Sequence, residues 1–353
     1  MVSSLSTFRG KQRIIVVGLL LMAGIFYFGR FDQLPQYQVG ETEPVYQYSC
    51  HITRSLIGSP TDNETAPIRQ HTYLNLNDLN STRAGKQSQE HVLVLTTVGN
   101  DEAYLDNYFD LLDKSSYPNS LISIGLLVSD STDDSLEKIY QHVNRLQTRW
   151  RNTFDTIDVY QKDFKVPSKT DDTSLDSKRA TLARARNFLL SISLKEYHSW
   201  VVWVDIGLYS YPQTIFEDLM MADADVVVPN CLLKRDDDEF WGFDRNNWQE
   251  SDASLKYQQE LPLNQVLMED YNEYSVGRNL LVDMPTNTGK DYKVPLDGVG
   301  TTFTMVKATV HREGAVFPPF VYQHELDTEG FAKIVKSMGF SVYGIPSYTI
   351  YHH

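Results

Sequence analysis

Two aspartates stand where short apolar segments end, and both are candidates for binding a cation or a phosphate-linked ligand. Asp130 follows the run 121–128 (LISIGLLV), and Asp205 ends the run 200–205 (WVVWVD). Such apolar runs are typical of strands that are buried on both faces of a parallel sheet. Ligands gather at the carboxyl ends of parallel strands, so we expect both carboxylates at one sheet edge. Acidic residues also end strands simply as turn formers, and that alternative stays open.

A group of polar residues lies on the segment that precedes the second of these strands. The segment 176–194 is predicted to be helical, and it carries Arg184, Arg186 and Asn187. Basic residues at this place in an acidic protein could meet a pyrophosphate. The alternative is a solvated helix face whose charges pair with neighbouring carboxylates, and the residues alone favour this alternative.

The elements that position these residues alternate along the chain. Apolar strands are predicted at 91–98, 121–128, 154–160, 200–205 and 225–230, and helical segments separate several of them. This alternation indicates an α/β fold, in which a mostly parallel sheet is covered by helices on both faces. The folded domain is predicted to span 91–353, which is long enough for one sizeable core.

The N-terminal residues predict a membrane anchor. Residues 14–29 (IIVVGLLLMAGIFYFG) are uncharged and almost wholly apolar, and three basic residues precede them. The positive-inside rule then predicts a cytosolic tail at 1–13, a span at 14–31 and a luminal stem at 32–90. A cleaved signal peptide is the alternative, although no small-x-small cleavage site is evident. The glycosylation sequons at Asn63 and Asn80 agree with a luminal face.

The charge balance excludes one class of partner. The chain has 32 basic and 46 acidic residues, for a formal net charge of −14 at pH 7. Four of the basic residues lie within 1–30, which makes the remainder more acidic still. Proteins that bind DNA or RNA need a surface that neutralises phosphates, so we expect no nucleic-acid partner.

A series of short motifs runs along the predicted domain. They are 108–112 (YFDLL), 129–131 (SDS), 183–190 (ARARNFLL), 225–230 (DVVVPN), 297–300 (DGVG), 306–308 (VKA), 311–320 (HREGAVFPPF) and 328–333 (TEGFAK). In this order the chain resembles the fungal mannan polymerase family, the Golgi α-1,6-mannosyltransferases of glycosyltransferase family 62. The resemblance covers essentially all of 91–353, and the run 311–320 is its most specific part.

The resemblance implies an activity and a cellular setting. It implies a single luminal domain with a GT-A-like fold, held by one helix in the membrane of the Golgi or of a neighbouring early-secretory compartment. The implied activity is transfer of mannose from GDP-mannose, with a divalent cation, usually Mn²⁺, to extend α-1,6-linked mannan on N-glycans. Members of the family work with paralogous subunits in hetero-oligomeric complexes.

The resemblance also implies roles for individual residues. Asp205 matches the first acid of the family's Asp-x-Asp motif, and His352 matches a histidine that completes the metal site. Asp130 would meet the guanosine. The residues that match the helix on the nucleotide side are Arg184, Arg186 and Asn187. Independently of the resemblance, the residues suggest a role for Glu329 at the start of a predicted helix. Asp327 or Thr328 could cap this helix, and Glu329 could hold the acceptor hydroxyl and take part in catalysis.

One position departs from the family pattern. The second acid of the motif is replaced by Gly207. Two hypotheses of different class follow: an active mannosyltransferase that needs only Asp205, His352 and the diphosphate for its metal, or a catalytically weak or silent scaffold subunit. We expect a carboxylate at position 207 to tighten Mn²⁺ binding, unless the backbone there needs a positive φ.

Overall fold

The computed structural model describes residues 75–166, 175–236, 241–267 and 276–353. They belong to one compact unit, Thr72–His353. No helix in this part of the chain is long and apolar enough to cross a membrane. The anchor predicted at 14–31 lies outside the described residues, and so does most of the stem.

The strands follow the apolar runs of the sequence closely. In chain order they are β1 His91–Val98, β2 Ile122–Val128, β3 Thr156–Gln161, β4 His198–Val204, β5 Leu208–Ser210, β6 Val226–Leu233, β7 Trp248–Gln249, β8 Asn279–Leu280, β9 Val294–Pro295, β10 Phe303–Lys307 and β11 Val342–His352. Every residue of β2 and β4 is buried, which is the expected burial of central strands. The five predicted strands are confirmed, with bounds that shift by at most three residues.

The main sheet has the order β3-β2-β1-β4-β10-β6-β11-β5, and β9 pairs with β11. Strands β1 to β4 are parallel to one another, and β6 is parallel to β11. Because β10 is antiparallel to both β4 and β6, these six strands all run in one direction. The predicted mostly parallel sheet is therefore confirmed. Strand β10 was not predicted, and it runs antiparallel between β4 and β6. Strand β10 has only five residues, and it lies inside a long irregular segment. A strand this short gives no reliable periodic signal in the sequence.

Helices cover both faces of the sheet, as predicted. They are α1 Leu105–Asp113, α2 Ser135–Gln147, α3 Leu175–Ser193, α4 Ile215–Met220, α5 Asp252–Gln259, α6 Ala308–Arg312 and α7 Asp327–Ser337. The apolar residues of β1 alternate between two cores: Val92 and Val94 pack with α1, α2 and α4, whereas Leu93 and Leu95 pack with α3, α6 and α7. The sheet is thus a rigid layer between two helical layers.

The folded unit begins earlier than the predicted boundary between stem and domain. Glu90 is buried, and its carboxylate accepts hydrogen bonds from the Thr82 hydroxyl at 2.6 Å and from the Trp200 indole at 2.7 Å. The Ser81 hydroxyl donates to the carbonyl of Ser199. Segment 81–90, assigned to the stem from its polar composition, is therefore fixed against β4.

Candidate functional site at the carboxyl edge of the sheet

Asp205 lies at the carboxyl end of β4, where the chain turns into β5. Its backbone N–H donates to the carbonyl of Thr302 at 2.9 Å, which continues the pairing of β4 with β10. Its Oδ1 accepts from the N–H of Gly207 at 2.8 Å, and this bond closes the turn. The Asp205 side chain is 43% exposed. The carboxylate is therefore held in place by the turn and is still open to a ligand.

The C-terminal strand brings a histidine to the same point. Strand β11 runs parallel to β6, and its last residue, His352, places Nε2 at 3.2 Å from Oδ1 of Asp205. The imidazole stacks on Phe243, with ring centroids 3.8 Å apart and planes 10° apart. Burial alone would lower the pKa of His352, but hydrogen bonds to Asp205 and to the His353 carbonyl raise it above its ordinary value. The two residues that the resemblance assigned to the metal are thus in contact.

Gly207 leaves the space that the imidazole fills. A Cβ at position 207 would lie 2.5 Å from Cε1 and 2.7 Å from Nε2 of His352. The φ angle of Gly207 is not positive, so the backbone at this position does not need the left-handed conformation that favours glycine. The expectation that a carboxylate here would simply strengthen the site therefore meets a steric conflict with His352.

A second acid beside the site was missed by the sequence analysis. Asp244 is buried, and its carboxylate accepts from the Thr302 hydroxyl at 2.6 Å and from the N–H of Asn246 at 3.2 Å. Burial, with the nearby charge of Asp205, raises the pKa of Asp244. The carboxylate packs directly against the backbone of Gly300. A lone aspartate in a loop gives no local signal, so only the fold reveals that it supports the strand end.

The Asp205–His352 pair has a donor set that suits a divalent cation. A carboxylate oxygen and an imidazole nitrogen are both acceptable ligands for Mn²⁺. Among the described residues, no group of three or more His, Cys, Asp or Glu side chains converges on one point. The pair therefore fits a cation as two of its ligands, with the remaining positions left to a phosphate-bearing ligand and water.

Asp130 lies at the same sheet edge, but its carboxylate is engaged. It accepts backbone N–H groups of Phe164, Lys165 and Val166 at 3.0 to 3.3 Å, and also the Ser129 hydroxyl. Burial would raise the pKa of Asp130, but these hydrogen bonds hold it below its ordinary value. In this structure Asp130 fixes the segment that follows β3, which is the turn-forming role the sequence left open.

The polar residues of α3 separate into different roles. Arg184 is exposed on the helix surface. Arg186 forms an ion pair with Asp327 at 2.5 Å and donates to the Thr301 hydroxyl at 3.2 Å. The amide of Asn187 donates to the carbonyl of Phe317 and accepts from its N–H, so it fixes the loop that follows α6. The structure thus gives Asn187 a structural contact, and it joins Arg186 to Thr301, the residue before the one whose carbonyl accepts the N–H of Asp205.

Glu329 does not lie where an acceptor could reach it. Its side chain is fully buried, and Trp248 donates an indole N–H to Oε1 at 2.8 Å. Arg179 lies 2.5 Å from Oε2, and Arg278 contacts the same carboxylate. The expected acceptor role is corrected accordingly: Glu329 is a buried member of a charge cluster that joins α3 to α7. The helix start also differs from prediction, because Leu326 is the N-cap and makes no side-chain capping bond.

Comparison with known proteins gives consistent results. Residues 70–321 match the Anp1 family. The chain is 36% identical to the mannan polymerase II complex anp1 subunit of Schizosaccharomyces pombe, over 75% of this chain and 64% of that protein. It is 32% identical to the mannan polymerase II complex ANP1 subunit of Saccharomyces cerevisiae, over 79% of this chain and 58% of that protein. It thus spans less than two thirds of the length of these two relatives.

Two further similarities complete the comparison. The chain is 31% identical to the mannan polymerase complex subunit MNN9 of Candida albicans, with 81% of each protein covered. Among solved structures, a mannosyltransferase from Pyrobaculum calidifontis, in complex with GDP-Man and Mn²⁺, aligns with a TM-score of 0.42 and 11% identity. That alignment covers 78% of this chain and 59% of that protein.

Proposed function

The chain belongs to the Anp1 family, and from this premise we propose that it is a mannosyltransferase subunit of a mannan polymerase complex. Its substrate is GDP-mannose, and its product is α-1,6-linked mannan on N-glycans. The names of its relatives support the complex. The observation that carries the activity is the contact of His352 with Asp205 at 3.2 Å, on an open sheet edge.

The residues at this edge have distinct tasks in the proposed transfer. Asp205 and His352 would hold a divalent cation, which would supply positive charge to the phosphates of the leaving GDP. Asp205 is pre-oriented by the N–H of Gly207, so its carboxylate need not reorganise when the donor arrives. Phe243 fixes the plane of the His352 ring by stacking. Asp244 supports the end of β10 through Thr302.

A scaffold function is the second candidate, and Gly207 is the observation that favours it. With glycine at this position, Asp205 is the single carboxylate of the motif that remains. A subunit of this kind would stabilise and position an active paralogue. We also propose that the body lies in the Golgi lumen behind the anchor at 14–31. Protection of the body from protease in sealed vesicles tests that topology.

The deciding experiment changes Asp205 in this subunit alone, within the assembled complex. Asp205→Ala removes the carboxylate ligand, so the transferase hypothesis expects Mn²⁺-dependent GDP binding by this subunit to be lost and mannan synthesis to fall. Asp110→Ala is a matched control, because it removes an exposed carboxylate on α1 that pairs with Lys114 and not with a residue of the site. Unchanged mannan synthesis by an intact Asp205→Ala complex contradicts the transferase function and supports the scaffold.

A further inference from the structure

Asn80 begins a sequence that can accept an N-linked glycan. The chain contains two such sequons, which begin at Asn63 and Asn80, and in each a threonine stands two positions after the asparagine. Asn63 lies outside the described residues. Asn80 lies on the folded unit that starts at Thr72, directly before the segment 81–90 that is fixed against β4. Asn80 is thus the sequon asparagine whose surroundings the structure describes.

The sequon places its asparagine outside and its hydroxyl groups inside. Asn80 is exposed. The Ser81 hydroxyl donates to the carbonyl of Ser199 at 2.7 Å, and the Thr82 hydroxyl donates to the buried carboxylate of Glu90 at 2.6 Å. An N-linked glycan is bulky and polar, so it needs a position on the surface. The fold therefore leaves room for a glycan on Asn80.

Thr82 is held by more than its hydroxyl. Its backbone N–H donates to both oxygens of the Glu90 carboxylate, at 2.9 and 3.1 Å. The same carboxylate accepts the indole N–H of Trp200 at 2.7 Å, and the backbone N–H of Glu90 donates to the carbonyl of Gly85 at 2.8 Å. Hydrogen bonds to a carboxylate are stronger than those between neutral groups. The Thr82 hydroxyl that the sequon requires is therefore already engaged once this segment has folded.

The sequon lies at the opposite end of β4 from the proposed metal site. Ser81 binds Ser199, the second residue of β4, whereas Asp205 follows the last residue of that strand. At about 3.3 Å per residue, Ser199 and Asp205 are about 20 Å apart. A glycan on Asn80 is therefore attached well away from the sheet edge that carries Asp205.

We propose that Asn80 carries an N-linked glycan, which is attached before segment 81–90 folds against β4. The co-reactant is an oligosaccharide joined to a lipid by a diphosphate. The amide nitrogen of Asn80 forms a bond to C1 of the oligosaccharide and loses one proton, while the bond from C1 to the diphosphate breaks and the lipid diphosphate leaves with the electron pair. The proposal rests on the proposed luminal position of the body and not on its transferase activity.

The first test uses the full chain, in its complex and in a eukaryotic host, with Asn63→Gln so that Asn80 begins the sole remaining sequon. We expect peptide-N-glycosidase to increase the gel mobility of this chain, and mass spectrometry to locate the removed glycan at Asn80. Adding Asn80→Gln or Thr82→Ala should abolish the shift, whereas Thr82→Ser keeps the hydroxyl and should retain it. Asn77→Gln is the matched control, because Asn77 is exposed in the same segment but begins no sequon.

The second test concerns the order of modification and folding. The Asn63→Gln chain is synthesised with microsomes in two schedules, one with the oligosaccharide donor present throughout and one with the donor restored only after the chain resists protease in opened microsomes. We expect a glycan on Asn80 in the first schedule and none in the second, because the Thr82 hydroxyl is by then bound to Glu90. Equal modification in both schedules overturns the proposed order.

The outcomes separate this proposal from the proposed function. A body that is protected from protease in sealed vesicles but has no glycan on Asn80 overturns the proposal and leaves the luminal position intact. A body that protease digests in sealed vesicles overturns both. A glycan on Asn80, in a complex whose Asp205→Ala variant keeps full mannan synthesis, supports the proposal while contradicting the transferase.

Discussion

Gly207→Ala is the substitution that most directly tests the geometry of the proposed metal site. The added Cβ would lie 2.5 Å from Cε1 of His352, whereas carbon atoms in contact are separated by about 3.5 Å or more. The ring must therefore retreat by about 1 Å. The Nε2–Oδ1 distance to Asp205 is now 3.2 Å, so the retreat takes these atoms beyond hydrogen-bonding range. Misplacement of a ligand by this much is expected to weaken Mn²⁺ binding by about 10- to 100-fold.

The assay is a calorimetric titration of Mn²⁺ into the complex in the presence of GDP. Nitrogen chemical shifts of His352 report separately whether the ring has moved. Gly207→Asp has the same steric conflict but adds a carboxylate. We expect it to bind Mn²⁺ more tightly than Gly207→Ala and to displace the imidazole as well.

A double-mutant cycle decides whether the effect passes through the histidine. In a His352→Ala background the steric conflict is absent, so adding Gly207→Ala should change Mn²⁺ affinity very little. An equal loss in both backgrounds would refute the steric argument, as would wild-type affinity in the single Gly207→Ala variant.

Two further predictions concern stability. Burial lowers the pKa of His198 and of His311 to about 4, from 6.5, so both stay neutral in the fold while the unfolded chain takes up protons below pH 6.5. The free energy of unfolding therefore has its full value above pH 6.5 and falls as the pH drops toward 4, by up to about 3 kcal/mol for each residue. Urea unfolding between pH 7 and pH 4 measures this fall. The prediction is contradicted if His198→Asn and His311→Asn leave the pH dependence of the unfolding free energy unaltered. Gly300→Ala forces the buried Asp244 carboxylate away from its partners and should lower the free energy of unfolding by about 1–3 kcal/mol; an unchanged urea midpoint would show that the carboxylate relaxes freely.

The sequence predicted the central strands well because their signal is local. In β2 and β4 every residue is buried, and most of each strand consists of apolar residues, which gives a clear local signal. Strand β10 carries the same kind of residues in a shorter run and was missed. Its place between β4 and β6 follows from pairing across the sheet, which no local window contains.

The site residues divide in the same way. Asp205 could be predicted from its place at a strand end, whereas His352 came from the family resemblance, and the 3.2 Å contact supports both. Glu329 was misassigned because its environment is made by residues far away in the chain, such as Trp248, which lies 81 residues earlier. Burial and ion pairing of this kind cannot be read from a helix start.

The last strand of the sheet has a consequence for how the protein folds. Asp205 and His352 are 147 residues apart, whereas β1 and β2 pair over a much shorter stretch of chain. Long loops close at a higher entropic cost and tend to form late, so β11 is expected to dock onto a sheet that is already assembled. A folding intermediate that contains β1 to β4 would have a native-looking core and an incomplete site. The contact between Asp205 and His352 would then form only in the last step of folding, so a partly folded chain would lack the proposed metal site.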